Sequence, residues 1–76
     1  MSLKVATIFE KGKMKPAWFV HENRRYQVQE INYEWQTKNG LSKAYHFAVS
    51  DGTNSFEIVF NDKEMTWEIK IEPYST

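Results

Sequence analysis

The chain has 76 residues, of which 41% are hydrophobic and 16% aromatic, with no cysteine and a formal net charge of zero. That length carries one core and so one domain, 1–76. Without Cys there are no disulfides or thiolate metal sites, and large aromatic side chains must supply the buried area. No apolar run approaches the ~20 residues of a membrane span. The start lacks a signal-like apolar stretch, so the reading is a cytoplasmic protein with no membrane partner.

In chain order, Met1-Ser2-Leu3 reads as partly vector-derived and is given no weight. Val5 to Phe9 is apolar and β-branched enough for a first strand, closed by a Lys11-Gly12 turn. Pro16 suits the first position of a second strand over Trp18-Phe19-Val20. Neighbouring side chains on a strand face opposite ways, so Trp18 or Phe19 must point outward. Glu22-Asn23 is the next turn.

The stretch Arg24 to Trp35 then carries apolar residues at Tyr26 and Val28, and at Ile31, Tyr33 and Trp35. The interval is two throughout except for one step of three. Gln29 and Glu30 offer no Gly, Pro or Asn, so one long strand over about 25–37 is expected, with a β-bulge near Gln29-Glu30 restoring the inward face. A bulge placed elsewhere would expose Tyr33 or Trp35.

Asn39-Gly40 and Asp51-Gly52 are strong hairpin signals, since type I′ turns need positive φ at both central residues. Between and beyond them, Tyr45-Phe47-Val49, Phe56-Ile58-Phe60 and Met65-Trp67-Ile69-Ile71 alternate with smaller or polar residues at period two. Asn61-Asp62 makes the last turn, and Pro73 with the tail 73–76 ends the last strand. No segment has helical spacing with caps. The expectation is all-β: a six-stranded antiparallel meander curled into a small barrel or half-barrel around its own rings.

Charge is unevenly spread. Residues 1–45 hold eight basic and four acidic side chains, and residues 46–76 hold two basic and six acidic ones. The simplest expectation is that the two halves pair internally.

Lys15, Pro16 and Phe19 (K-P-x-x-F), Arg24, Tyr26 and Val28 (R-x-Y-x-V), Trp35, and Trp67 with Ile69 (W-x-I) follow one another over most of the chain. This order resembles a group of short uncharacterised bacterial proteins, a domain of unknown function with the pattern P-x-x-F, R-x-Y-x-V, Trp and W-x-I. Where those proteins place Trp-x-Gly, this chain has His21-Glu22-Asn23. The resemblance implies a small β architecture and a bacterial origin, and brings no activity.

Chemistry-bearing motifs are few. His21 sits at a strand end and His46 on an expected outer face between Ala44 and Ala48, neither with a partner motif. Asp51 to Asn54 lacks the alternating acids of a calcium loop, and Glu10 to Pro16 lacks phosphate-loop spacing. Glu68 and Glu72 read as a solvated face. No catalytic residue, metal site or cofactor is expected. The candidate binding surface is Lys11, Lys13, Lys15, Trp18, Arg24 and Arg25. The leading functional expectation is a non-enzymatic module that binds a protein partner or a second copy through an apolar edge strand, Val5 to Phe9 or Met65 to Ile71. The alternative is a weak, non-specific single-stranded nucleic-acid binder using the basic loops and an exposed ring.

Overall fold

A computed structural model describes the backbone of residues 3–75 and the side chains of residues 3–38 and 40–70. The chain is all-β and antiparallel, with seven strands: β1 Lys4–Glu10, β2 Lys13–His21, β3 Arg24–Gln27, β4 Glu30–Asn39, β5 Ser42–Ser50, β6 Asn54–Asn61 and β7 Thr66–Ser75. No helix occurs among the described residues, and so none is long and apolar enough to cross a membrane.

The strands form two sheets, β1-β2-β3 and β4-β5-β6-β7, and no closed barrel. Strands follow one another as neighbours within each sheet, as the short turns required. The expected count of six becomes seven because the long third strand is broken. The Val28 N–H donates to the Ala17 carbonyl (3.0 Å) in the first sheet, and the next residue, Gln29, donates to the Ser50 carbonyl (2.8 Å) in the second. Consecutive amides thus belong to different ladders, and the chain changes sheet at this point. Pro16, next along β2, brings no N–H to any ladder. A register shift between Ala6 and Thr7 also bends the β1-β2 pair there. Both effects turn the sheets apart where one continuous strand would have had to serve both.

A bulge does exist, but it lies within β4, between Ile31 and Tyr33. Val28 and Ile31 both pack against the core. Beyond the bulge, however, Tyr33 stands opposite Ala48 and Trp35 opposite His46, on the outer face. The expected inward run Ile31-Tyr33-Trp35 is therefore corrected to Ile31 alone.

The remaining inner faces follow the period-two pattern. Phe47 and Val49 on β5, Phe56 and Ile58 on β6 and Trp67 on β7 are buried with Phe19, which is 0% exposed. Rings interlock across the two sheets: Phe19 meets Phe56 edge-on at 5.0 Å, and Tyr26, stacked on Phe19, meets Phe56 at 4.9 Å. Phe19 faces in, so Trp18 faces out. Leu3, which carried no weight in the sequence, belongs to the core, and its N–H donates to the Trp67 carbonyl (3.1 Å) to tie the two sheets together.

Glu22 and Asn23 form the expected turn, with φ of 52° and 65° and no glycine. Two other turn details differ from expectation. At the next hairpin Asn39 pairs with Ser42, so the central residues are Gly40 and Leu41 rather than Asn39 and Gly40. Gly40, at φ 65°, takes the first central position, as a type II′ turn requires. Met65 lies outside β7, in the turn, with φ 57° and 72% exposure. It does not join the inward row. Strand β7 runs past Pro73 to Ser75, where the sequence reading ended it, and Pro73 is tolerated because β7 is an edge. The expected inward Ile71 and outward Glu72 fall outside the described side chains; Met1, Ser2 and Thr76 fall outside the described residues.

Candidate functional site

The six residues expected to form a basic surface do not come together. Direct cross-strand pairing puts Lys4, Val20 and Arg25 in one row, and Ala6, Trp18 and Gln27 in the next, on the outer face of the first sheet. Lys15 and Lys13 follow on that face, where Lys15 pairs with Glu10 at 3.5 Å. Arg25 lies 4.4 Å over the Trp18 ring and covers it. Arg24 points to the other face, against Tyr26. Lys11 sits at the hairpin tip. Lys15, Trp18 and Arg25 thus share a face, while Lys11 and Arg24 do not, because alternation along β3 separates the two arginines.

The outer face of the second sheet holds the most organised polar group. Thr37, His46 and Glu57 come from three consecutive strands. The Thr37 hydroxyl lies 2.9 Å from His46 Nε2, and His46 Nδ1 lies 3.3 Å from Glu57 Oε2. A carboxylate only accepts, so Nδ1 donates to Glu57, and Nε2 is left to meet the Thr37 hydroxyl. The imidazole stacks on Trp35, centroids 5.0 Å apart and 9° from parallel. With its side chain 13% exposed, His46 is a fixed group and not a free surface histidine. Beneath it Val59, on the same outer row, is buried. A shallow depression of about 260 Å³ beside the line is bordered by Thr37, Ser42, Glu68 and Lys70. Hydroxyl, imidazole and carboxylate in sequence could polarise the Thr37 oxygen.

Sequence reading missed this line because it centred the hairpin on Asn39-Gly40. That choice sets Tyr33 opposite His46, whereas the Gly40-Leu41 turn sets Trp35 there and brings Thr37 alongside. The Gly40-Leu41 turn makes Thr37 a diagonal neighbour of His46, and the four-residue loop 51–54, in place of an Asp51-Gly52 turn, does the same for Glu57.

Between the sheets, a cleft of about 430 Å³ opens where they part, lined by Phe9, Met14, Glu34, Gln36, Tyr45 and Phe60 among others. Phe9 and Met14 are cross-strand partners on the inward side of the first hairpin, yet Phe9 is 76% exposed. Opposite them, Glu34 and Gln36 hold the inward positions of β4 after its bulge. Both flanking strands carry an unpaired edge. Residues 13–16 of β2 pair with β1 alone, and β4 pairs with β5 alone. Every side chain from Asn32 to Lys38 is exposed. Among the described residues, nothing pairs with the outer edge of this half of β4, and the contacts of Trp35 and Thr37 with His46 lie on its outer face.

Among the described residues no group of His, Asp and Glu could hold a metal ion. No family model, curated protein or solved structure matches this chain. What the fold and site define is a class: an open two-sheet β domain whose second sheet ends in an uncovered strand.

Proposed function

We propose that the protein is a non-enzymatic binding module that captures an extended segment of a protein partner along the free edge of β4. The observation that carries this reading is the seven consecutive exposed residues of Asn32–Lys38 on a strand whose outer edge has no partner among the described residues. An unpaired row of N–H and C=O groups is a template for another strand, and soluble proteins normally blunt such edges. Here the edge carries Tyr33 and Trp35 on one face and borders the cleft on the other. An incoming strand would lay alternate side chains beside those rings and into the cleft mouth. The Thr37-His46-Glu57 line fits a holding role for Trp35 better than a catalytic one. The imidazole is held at both nitrogens and lies flat against the Trp35 ring, so the line fixes that ring in place. A bacterial cytoplasmic setting accords with this reading through the pattern resemblance and the lack of cysteine.

Two peptides test it, one copying residues 29–39 and one of equal length alternating Val and Lys. Amide chemical shifts along β4 should move on titration with at least one of them, while those of β1 stay. If neither peptide perturbs β4, the reading is wrong.

A second reading has one specific support: Lys4, Lys15 and Arg25 surround Trp18 on the outer face of the first sheet. That arrangement suits the phosphates and a base of a single strand, provided Arg25 leaves the ring. Labelled single-stranded DNA titrated at several salt concentrations decides it, and affinity indifferent to salt removes it.

A further inference from the structure

Resting on the strand-capture reading, we infer that the segment β4 accepts is β4 of a second copy, paired antiparallel about a two-fold axis through Gln36. An isologous contact sets each residue opposite a fixed partner in the other copy, and the strand itself restricts the choice. Centring on Gln36 puts Glu34 opposite Lys38 of the second copy, and Lys38 opposite its Glu34. Two opposite-charge pairs result and no like-charge pair. All of these lie on the inward face of β4, and all are exposed in the single chain. On the outer face Trp35 meets Thr37.

Neighbouring registers do less well. Centring on Glu34 sets that carboxylate against itself and requires pairing across the bulge between Ile31 and Tyr33. A register centred on Trp35 offers no charge pair, because Glu34 then meets Gln36 and Asn32 meets Lys38. The Gln36 register uses only 33–39, the straight part of the strand beyond the bulge. The product is one continuous eight-stranded sheet, β7-β6-β5-β4 joined to its two-fold copy. The open edge of β4 in each copy is satisfied at once. An interface of seven paired residues a side falls at the small, transient end of protein contacts, so association is weak and concentration-dependent.

The charge pattern gives a test that a non-specific edge contact would fail. Glu34→Lys leaves two cations facing each other, and Lys38→Glu leaves two anions. Each variant alone should raise the dimer dissociation constant about tenfold or more, read by sedimentation equilibrium over about 10 µM to about 1 mM. Mixed together, the two variants become complementary at both positions and should form a heterodimer. The double variant Glu34→Lys/Lys38→Glu should associate as the parent does. Both substitutions are on exposed positions, and unchanged amide dispersion in NMR spectra verifies folding.

Because the chain has no native cysteine, single Cys variants report the register directly. Gln36→Cys should give a disulfide-linked dimer on mild oxidation, Trp35→Cys much less, and Glu34→Cys only when mixed with Lys38→Cys. A parent chain that stays monomeric at the highest concentration overturns the inference. So does oxidation that favours position 35, or single charge variants that associate as well as the parent. If the parent is monomeric while a peptide still shifts β4, the second copy fails and strand capture stands; if both are negative, both fall.

Discussion

Strands β4 and β6 flank the same strand, β5, and have similar sequences in outline: aromatic and branched residues at intervals of two. Their fates are opposite. On β6, Phe56 and Ile58 are buried on the inner face, and even the outer Val59 is 7% exposed. On β4, Tyr33 is 72% exposed and the whole of Asn32–Lys38 lies in solvent. The difference has two sources, neither of which is hydrophobicity. β6 has β7 along its second edge, whereas β4 has no neighbour there among the described residues. And one extra residue between Ile31 and Tyr33 turns the rings of β4 away from the core. Apolar content gives a strand its form; register and neighbours give it a role.

The sharpest way to break the comparison is to empty the core that β6 serves. Phe19→Ala, across from Phe56, should cost about 3–5 kcal/mol and leave so small a domain largely unfolded. Chemical denaturation measures it, and a loss under about 1 kcal/mol would displace Phe19 from the centre of packing. Ile58→Ala, on β6 itself, should cost about 2–5 kcal/mol by the same measurement.

Next in size comes the outer face. Thr37→Val removes the hydroxyl at His46 while keeping its shape, and should cost about 1 kcal/mol. Trp35 emission should change with it, because the imidazole stacked on that ring loses one of its two restraints. An unaltered spectrum would mean the stack does not depend on the polar line.

At the small end, Tyr33→Ser should alter stability by no more than about 0.5 kcal/mol. The same substitution should weaken strand capture, which separates binding from folding at one position. Tyr33→Ser that destabilised the chain strongly would mean the ring is packed in solution.

A pH effect belongs to the β5-β6 turn. Asp51 Oδ1 accepts the N–H groups of Asn54 (2.6 Å) and Thr53 (2.8 Å), and the Asn54 backbone bond in particular lowers its pKa below 3.8. A depressed folded-state value means stability present above the unfolded value and lost as pH falls through the folded one. Asp51→Asn should therefore lower stability slightly at neutral pH and flatten the acid limb below about pH 4, where variant and parent converge. Because the loop is solvated, the effect is small.

The alternation of β5 and β6, the placement of Trp67 and the approximate positions of the turns are read directly from residue spacing. Local chemistry is enough for these, since a strand with one wet face must alternate and Gly or Asx residues must turn. The break at Val28-Gln29 was not readable in that way. It depends on Pro16 and a register shift in a different strand, residues that meet this segment only once the sheets are assembled. The exposure of Tyr33 and Trp35 was foreseen only as the result of a displaced bulge. The meeting of Thr37, His46 and Glu57 needed a two-residue turn whose centre the Asn-Gly signal misplaced by one position. Of the expected basic surface, residues on β2 and the β3 residue in register with them stayed together, and alternation dispersed the others.

By itself, then, the sequence determined an antiparallel all-β chain with an aromatic core and outward polar rows, because side-chain period and turn chemistry act within a few residues. Only the tertiary structure decided that the ribbon parts into two sheets and leaves β4 uncovered. Those outcomes turn on which backbone groups find partners far along the chain, and a one-residue change of register reverses which face each side chain occupies.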